Sequence, residues 1–159
     1  MTNFDRMIQL ASEVFDAHND PEQLDVSESV IEQLQQLHPA CVSEFNEGEG
    51  PIIWLILIPT TEKLMHEFIE EKISESELLN QTPLHIKYDA LYLCSVMVLE
   101  EFRRKGLAKK IALEAIKKIR FDHPIKKIFT WNFSKEGSLL AESISREESL
   151  PLFNRERKS

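Results

Sequence analysis

Apolar positions recur at helical spacing from the start of the chain. Phe4, Ile8, Ala11 and Phe15 mark one face of an amphipathic helix over residues 3–17. Asp20 followed by Pro21 is a cap and first-turn signal. It opens a second helix that runs to about Leu37 with Val30, Ile31, Leu34 and Leu37 on one side, and His38-Pro39 ends it. The turn Glu47-Gly48-Glu49-Gly50-Pro51 separates two extended pieces, 41–46 and 52–58. Ile52 to Ile58 shows no polar alternation, which predicts a central strand covered on both faces.

Helical periodicity resumes after Pro59-Thr60-Thr61 with Leu64, Met65, Phe68 and Ile69, and Ser74 with Glu77 forms a capping box for a further short helix to about Leu79. Residues 84–99 read as a second long strand. From Gly106 onward Ala108, Ile111, Ala112, Ala115, Ile116 and Ile119 line one face of a helix whose other face carries lysines. Residues 127–133 read as a third core strand. Leu139, Leu140 and Ile144 mark a last helix, followed by an apolar piece at 150–153 and a basic tail. This order predicts one α/β domain over residues 1–159, a central mixed sheet with helices on both faces. The strand–helix–strand unit 91–133 is expected to form a right-handed parallel pair or its splayed equivalent.

Charge sharpens this picture. The net charge of −8 hides a split, because residues 1–102 carry 4 basic and 20 acidic side chains while residues 103–159 carry 15 and 7. Two cysteines, Cys41 and Cys94, make no disulfide framework, and the five histidines show no metal-ligand spacing, so no metal is expected. The N-terminus lacks the pattern of a signal peptide, and the longest apolar run is too short to span a bilayer. A cytoplasmic location without membrane contact is therefore the expectation.

The chemistry concentrates in Val98-Leu99-Glu100-Glu101-Phe102-Arg103-Arg104-Lys105-Gly106-Leu107-Ala108. A strand ends, a basic loop follows, and a helix starts at a glycine. Unpaired N–H groups at a helix start suit a phosphate or pyrophosphate, and Arg103, Arg104 and Lys105 add charge. The segment is neither the dinucleotide fingerprint nor a P-loop. Its plain alternative is a solvated basic first turn. Ten Lys or Arg against two acids over 103–127 also fit a nucleic-acid patch, but no aromatic–basic interleaving supports one, and no nucleic-acid partner is expected.

Arg103-x-x-Gly106-x-Ala108, after a strand and before an amphipathic helix, resembles the acyl-CoA motif of the GNAT N-acetyltransferase superfamily, and the order of elements over residues 3–145 is similar. The resemblance implies a GNAT-like acyl-CoA N-acyltransferase fold with a helical insertion at about 60–80 and a shortened C-terminal part. It implies acetyl-CoA as co-substrate and an amine, small-molecule or peptide, as acceptor. Backbone groups of Val96, Met97 and Val98 would pair with the pantetheine arm. N–H groups across Arg104, Lys105, Gly106, Leu107, Ala108 and Lys109 would cradle the pyrophosphate, and Asn132 would contact the cofactor arm.

The chain departs from the family pattern in four ways. Glu100 stands where proline is frequent, and Leu139 stands where a tyrosine often serves as general acid. The first helix leaves no room for the usual opening strand. Little after residue 146 resembles the closing hairpin, which makes a homodimer that completes the sheet or the site an expectation.

Strand alternation places Tyr92, Cys94 and Val96 on one face, so Tyr92 is the candidate catalytic group, with Cys94 beside it. The plain readings are a half-buried aromatic and a small buried hydrophobe. His85, Asp89, Glu100 and Glu101 lie along or just beyond the same strand. The acidic remainder favours a cationic acceptor. The other reading is a non-catalytic module of the same fold that binds or senses acyl-CoA.

Overall fold

A computed structural model describes residues 2–16, 24, 27–131 and 134–156. Six α-helices and five strands follow one another along these residues: α1 Asn3–Asp16, α2 Glu28–Leu37, β1 Val42–Asn46, β2 Pro51–Thr60, α3 Glu62–Ile69, α4 Glu75–Gln81, β3 Ala90–Val98, α5 Leu107–Asp122, β4 Lys127–Thr130, α6 Lys135–Glu148 and β5 Leu152–Asn154. The strands form one sheet in the order β1-β2-β3-β4-β5. β2 lies antiparallel to β1 and β3, whereas β3, β4 and β5 run parallel. The fold is α/β with a mixed open sheet.

The apolar run of β2 is the centre of the core. All of its residues are buried except Trp54, which is half-buried against Phe4 of α1. β1 and β3 flank it and helices cover both faces of the sheet, which is why no polar alternation survives there. β3 pairs with it from Thr60↔Ala90 to Ile53↔Val98, with one irregularity. Leu57 opposes Leu93 and Ile56 opposes Ser95, so two steps along β3 match one along β2. Cys94 is the extra residue, a β-bulge.

Helices cover both faces. The connections β3–α5–β4 and β4–α6–β5 step in the same direction along the sheet, and right-handed crossovers put both helices on one face. They touch there, with Lys109 Nζ 3.1 Å from Glu147 Oε1 and Arg120 donating to the Glu148 carbonyl. The other face carries α1 over Trp54, and α3 and α4 over Tyr92, which Phe68 and Glu75 contact. α2 is tied to α4 by Gln33–Asn80 and, at its end, to α5 by a 2.6 Å contact between His38 Nε2 and Asp122 Oδ2.

Four expectations change. The long strand starts at Ala90 rather than residue 84, because β2 ends at Thr60 opposite Ala90 and leaves residues 84–88 without a partner strand among the described residues. Leu84 and Ile86 are exposed, and His85 takes a left-handed backbone (φ 63°). α2 begins at Glu28, capped by Ser27, while Asp20-Pro21 lies outside the described residues. β4 stops at Thr130, with Trp131 past its end and 132–133 outside the description. Part of the apolar piece at 150–153 is a fifth strand, parallel to β4. No helix among the described residues is long and apolar enough to cross a membrane.

Candidate functional site: a cationic loop at a strand split

β3 and β4 pair only at Ala90↔Lys127, Leu91↔Ile128 and Tyr92↔Phe129. β3 then runs on to Val98 without β4 beside it among the described residues. The split begins at the bulge, so among the described residues the backbone N–H and C=O groups of one β3 edge lack a ladder partner over Leu93–Val98. Beyond Val98 the chain makes a 3₁₀ turn, Glu100–Phe102, and enters the basic loop.

The loop is shaped by its backbone and by one side-chain contact to the strand end. Arg104 (φ 64°) and Gly106 (φ 74°) are both left-handed, and Arg103 Nε donates to the Val98 carbonyl at 2.9 Å, folding its side chain back on the strand end. Gly106 caps α5 with no side-chain acceptor. α5 is singular in this. The other five helices each have a side chain accepting from the first turn: Thr2, Ser27, Thr61, Ser74 and Ser134. A 16-residue helix thus presents an uncapped positive end inside a cluster of cations, an arrangement suited to a phosphate group.

A cleft of about 390 Å³ opens over this helix start. Val96 and Val98 form its strand wall, Phe102, Arg103, Arg104, Gly106, Leu107, Ala108 and Lys109 its floor, and Ser134, Glu136, Gly137, Leu139 and Leu140 its far side. Arg104 faces Glu136 across the mouth at 3.9 Å, both exposed. Eight of the loop and strand residues singled out from sequence therefore meet in one place. Met97 is buried on the opposite face, opposite Trp54, and leaves only its backbone to the edge. Lys105 Nζ sits 5.6 Å from the centre of the Phe102 ring, outside the cleft lining. Asn132 lies outside the described residues.

The expected alternation of Tyr92, Cys94 and Val96 on one face does not hold. Tyr92 opposes Ile58 and Val96 opposes Leu55, three positions apart on an unbroken β2, so the two β3 residues face opposite sides. The bulge causes the switch. Val96 and Val98 belong to the cleft, whereas Tyr92 and Cys94 face α4.

There they meet a carboxylate that was not singled out from sequence, Glu75 in the first turn of α4. Glu75 is 5 % exposed; its Oε1 accepts the Leu24 N–H at 2.7 Å, and its Oε2 accepts the Tyr92 hydroxyl at 2.5 Å, with Cys94 Sγ at 3.8 Å. Burial raises the Glu75 pKa above the ordinary carboxylate value, against the opposing pull of those bonds. Burial and then the neighbouring Glu75 charge push Tyr92 and Cys94 well up.

The remaining candidates have structural partners or lie apart. Asp89 Oδ1 accepts the Glu62 N–H at 2.8 Å at the start of α3, and His85 is exposed on the unpaired segment. Glu101 takes both arms of Arg6 from α1 at 2.6 and 2.7 Å, a bond that brings its pKa down to about 2. Glu100 lines a second hollow of about 490 Å³ between α1 and the turn, with Arg6, Gln9, Glu13 and Arg103.

Glu136 and Ser134 were not singled out from sequence, although Ser134 three residues before Gly137 is a readable cap. Comparison of the chain with family models, with curated proteins and with solved structures returns no match. The site therefore stands on its own geometry.

Proposed function

We propose that the chain is an N-acetyltransferase of the GNAT type, carrying an acetyl group from acetyl-CoA to an amine. The observation that carries this reading is the split: β3 continues past its last pairing with β4 at Tyr92↔Phe129 and delivers an open backbone edge directly to an uncapped, cationic helix start. A pantetheine arm bears amides, and an extended amide-bearing chain pairs with an open strand edge as an added strand does. Val96, Met97 and Val98 would supply that edge. The N–H groups across Arg104–Lys109 and the positive end of α5 would hold the pyrophosphate, whose charge matches the local excess of cations. Asn132 retains its proposed contact with the arm.

Acetyl-CoA brings the acyl group already activated as a thioester. The protein's contribution is to place it along β3, to turn a strand N–H toward the oxygen on which charge develops, and to bring up an uncharged amine. The 20 acidic residues against 4 basic ones in residues 1–102 support a cationic acceptor. Tyr92, fully buried with its hydroxyl on Glu75, acts in this reading through that carboxylate.

Calorimetric titration with acetyl-CoA at ordinary salt tests the proposal directly. Binding that Gly106→Glu abolishes is expected, together with release of free thiol when amines are added. No binding, or binding indifferent to Gly106→Glu, refutes it. Binding without thiol release across an amine panel establishes the acyl-CoA-sensing module instead.

A further inference from the structure

The bulge at Cys94 leaves β3 with a different chemical surface on each side of the split. The cleft side is cationic and takes the phosphates in the reading above. The other side is closed by α4, and α4 presents one acid there. A carboxylate taken out of water is tolerated only with hydrogen-bonding partners, and the Leu24 N–H and the Tyr92 hydroxyl are those partners. Cys94 is the partly exposed member of the group and lies on the bulge itself, where the unpaired edge begins.

We infer that Glu75, from the helical segment between β2 and β3, is the proton acceptor for the attacking amine, an assignment that rests on the acetyltransferase reading. An ammonium acceptor gives one proton to the Glu75 carboxylate. The resulting amine nitrogen forms a bond to the thioester carbon as the carbon–sulfur bond breaks. The departing sulfur takes the second nitrogen proton, leaving an amide, a free thiol and a protonated Glu75 that returns its proton to water.

The groups facing Glu75 set its basicity. Burial raises its proton affinity, while the Tyr92 hydroxyl, the Leu24 N–H, the Cys94 thiol and the charge of Arg155 lower it. The balance lies upward, in the direction that suits a base working near neutral pH. Arg155 is itself fixed, its guanidinium 4.7 Å from the Phe68 ring centre and 4.4 Å from that of Trp131, with Nη1 donating to the Ile73 carbonyl.

The experiment compares acceptors that do and do not need to lose a proton. Thiol release from acetyl-CoA is followed with n-butylamine and spermidine, which are ammonium ions at neutral pH, and with aniline, which is not. Glu75→Gln is expected to lower kcat for the two ammonium acceptors by about 10²–10⁴-fold, to lower it far less for aniline, and to leave acetyl-CoA affinity unchanged. Tyr92→Phe is expected to move the acid limb of kcat/KM to higher pH, because the carboxylate loses a donor that stabilises its charge.

An equal loss with all three amines, or an unmoved limb in Tyr92→Phe, overturns the assignment. Should Glu75→Gln not fold, the Tyr92→Phe profile alone decides. Wild-type turnover with Glu75→Gln undiminished removes the Glu75 role and keeps the enzyme. Acetyl-CoA binding by the wild type without thiol release from any of the amines removes both.

Discussion

Gly106 and Gly48 offer a matched test of the loop. Both are left-handed, at φ 74° and φ 66°, and a Cβ added at either meets no atom within 4 Å. Substitution by alanine therefore introduces no clash at either position. It forces an L-residue into the left-handed region, at a cost of about 1–2 kcal/mol. For a chain of this length that predicts a Tm loss of about 2–8 °C in each variant. The two differ in what the turn holds: Gly48 lies between β1 and β2, far along the chain from the cleft, while Gly106 starts α5 and lines it.

If the loop of Gly106→Ala relaxes toward an ordinary backbone, restoring the binding geometry draws on the same 1–2 kcal/mol. Acetyl-CoA affinity then falls about 5–30-fold. Gly48→Ala leaves it untouched. Thermal unfolding and calorimetry on the two proteins, with Gly106→Asn as a variant that tolerates the left-handed region better, read out both quantities. An unchanged Tm in Gly106→Ala refutes the strained helix start. Equal Tm losses with equal acetyl-CoA affinities refute the loop as the anion site.

Other outcomes follow from single contacts. Glu136 places a carboxylate 3.9 Å from Arg104 at the cleft mouth, so Glu136→Gln is expected to tighten acetyl-CoA binding about 2–5-fold at low salt and less at high salt, by calorimetry. Phe68 is fully buried against Tyr92, Phe129, Trp131 and Arg155, and Phe68→Ala is expected to lower stability by about 3–5 kcal/mol in urea unfolding. His123 has its pKa lowered, first by burial, and its Nδ1 accepts the Tyr88 N–H at 3.3 Å. A depressed histidine pKa means that the unfolded chain takes up the proton more readily, so stability present above pH of about 6.5 is lost as the pH falls below it. Tm measured across that window should drop less in His123→Asn than in the wild type.

Much of the fold was legible because its elements announce themselves locally. The continuous apolar run of β2 and the 3.6-residue periodicity of α5 each require a particular burial pattern, and each forms where it was read. The capping box of Ser74 and Glu77 holds as written, with bonds of 3.1 Å both ways. What failed depended on partners distant in sequence. Leu84, Ile86 and Tyr88 alternate as a strand would, yet no strand among the described residues lies beside them, since Thr60 is where β2 ends. The loop at 103–109 could be read because its signal is contiguous. Glu136 could not, since its role depends on two helix starts converging, and neither start is visible from the other. Glu75 was hidden by its own cap: in Ser-Glu-Ser-Glu the fourth residue closes the box, and the second reads as an ordinary first-turn acid until the fold buries it.

The bulge is the feature with the widest reach and the weakest sequence signal. A one-residue insertion in a strand leaves its composition unchanged and only shifts which residues share a face. Without Cys94 as the extra residue, Val96 would fall on the face of Tyr92 and α4, and the strand wall of the cleft would be formed by Ser95 and Met97 instead. The cationic cleft and the buried acid would then no longer be served by separate sides of one strand. With the bulge, the open edge of β3 runs from Cys94, with Glu75 behind it, toward the cationic start of α5.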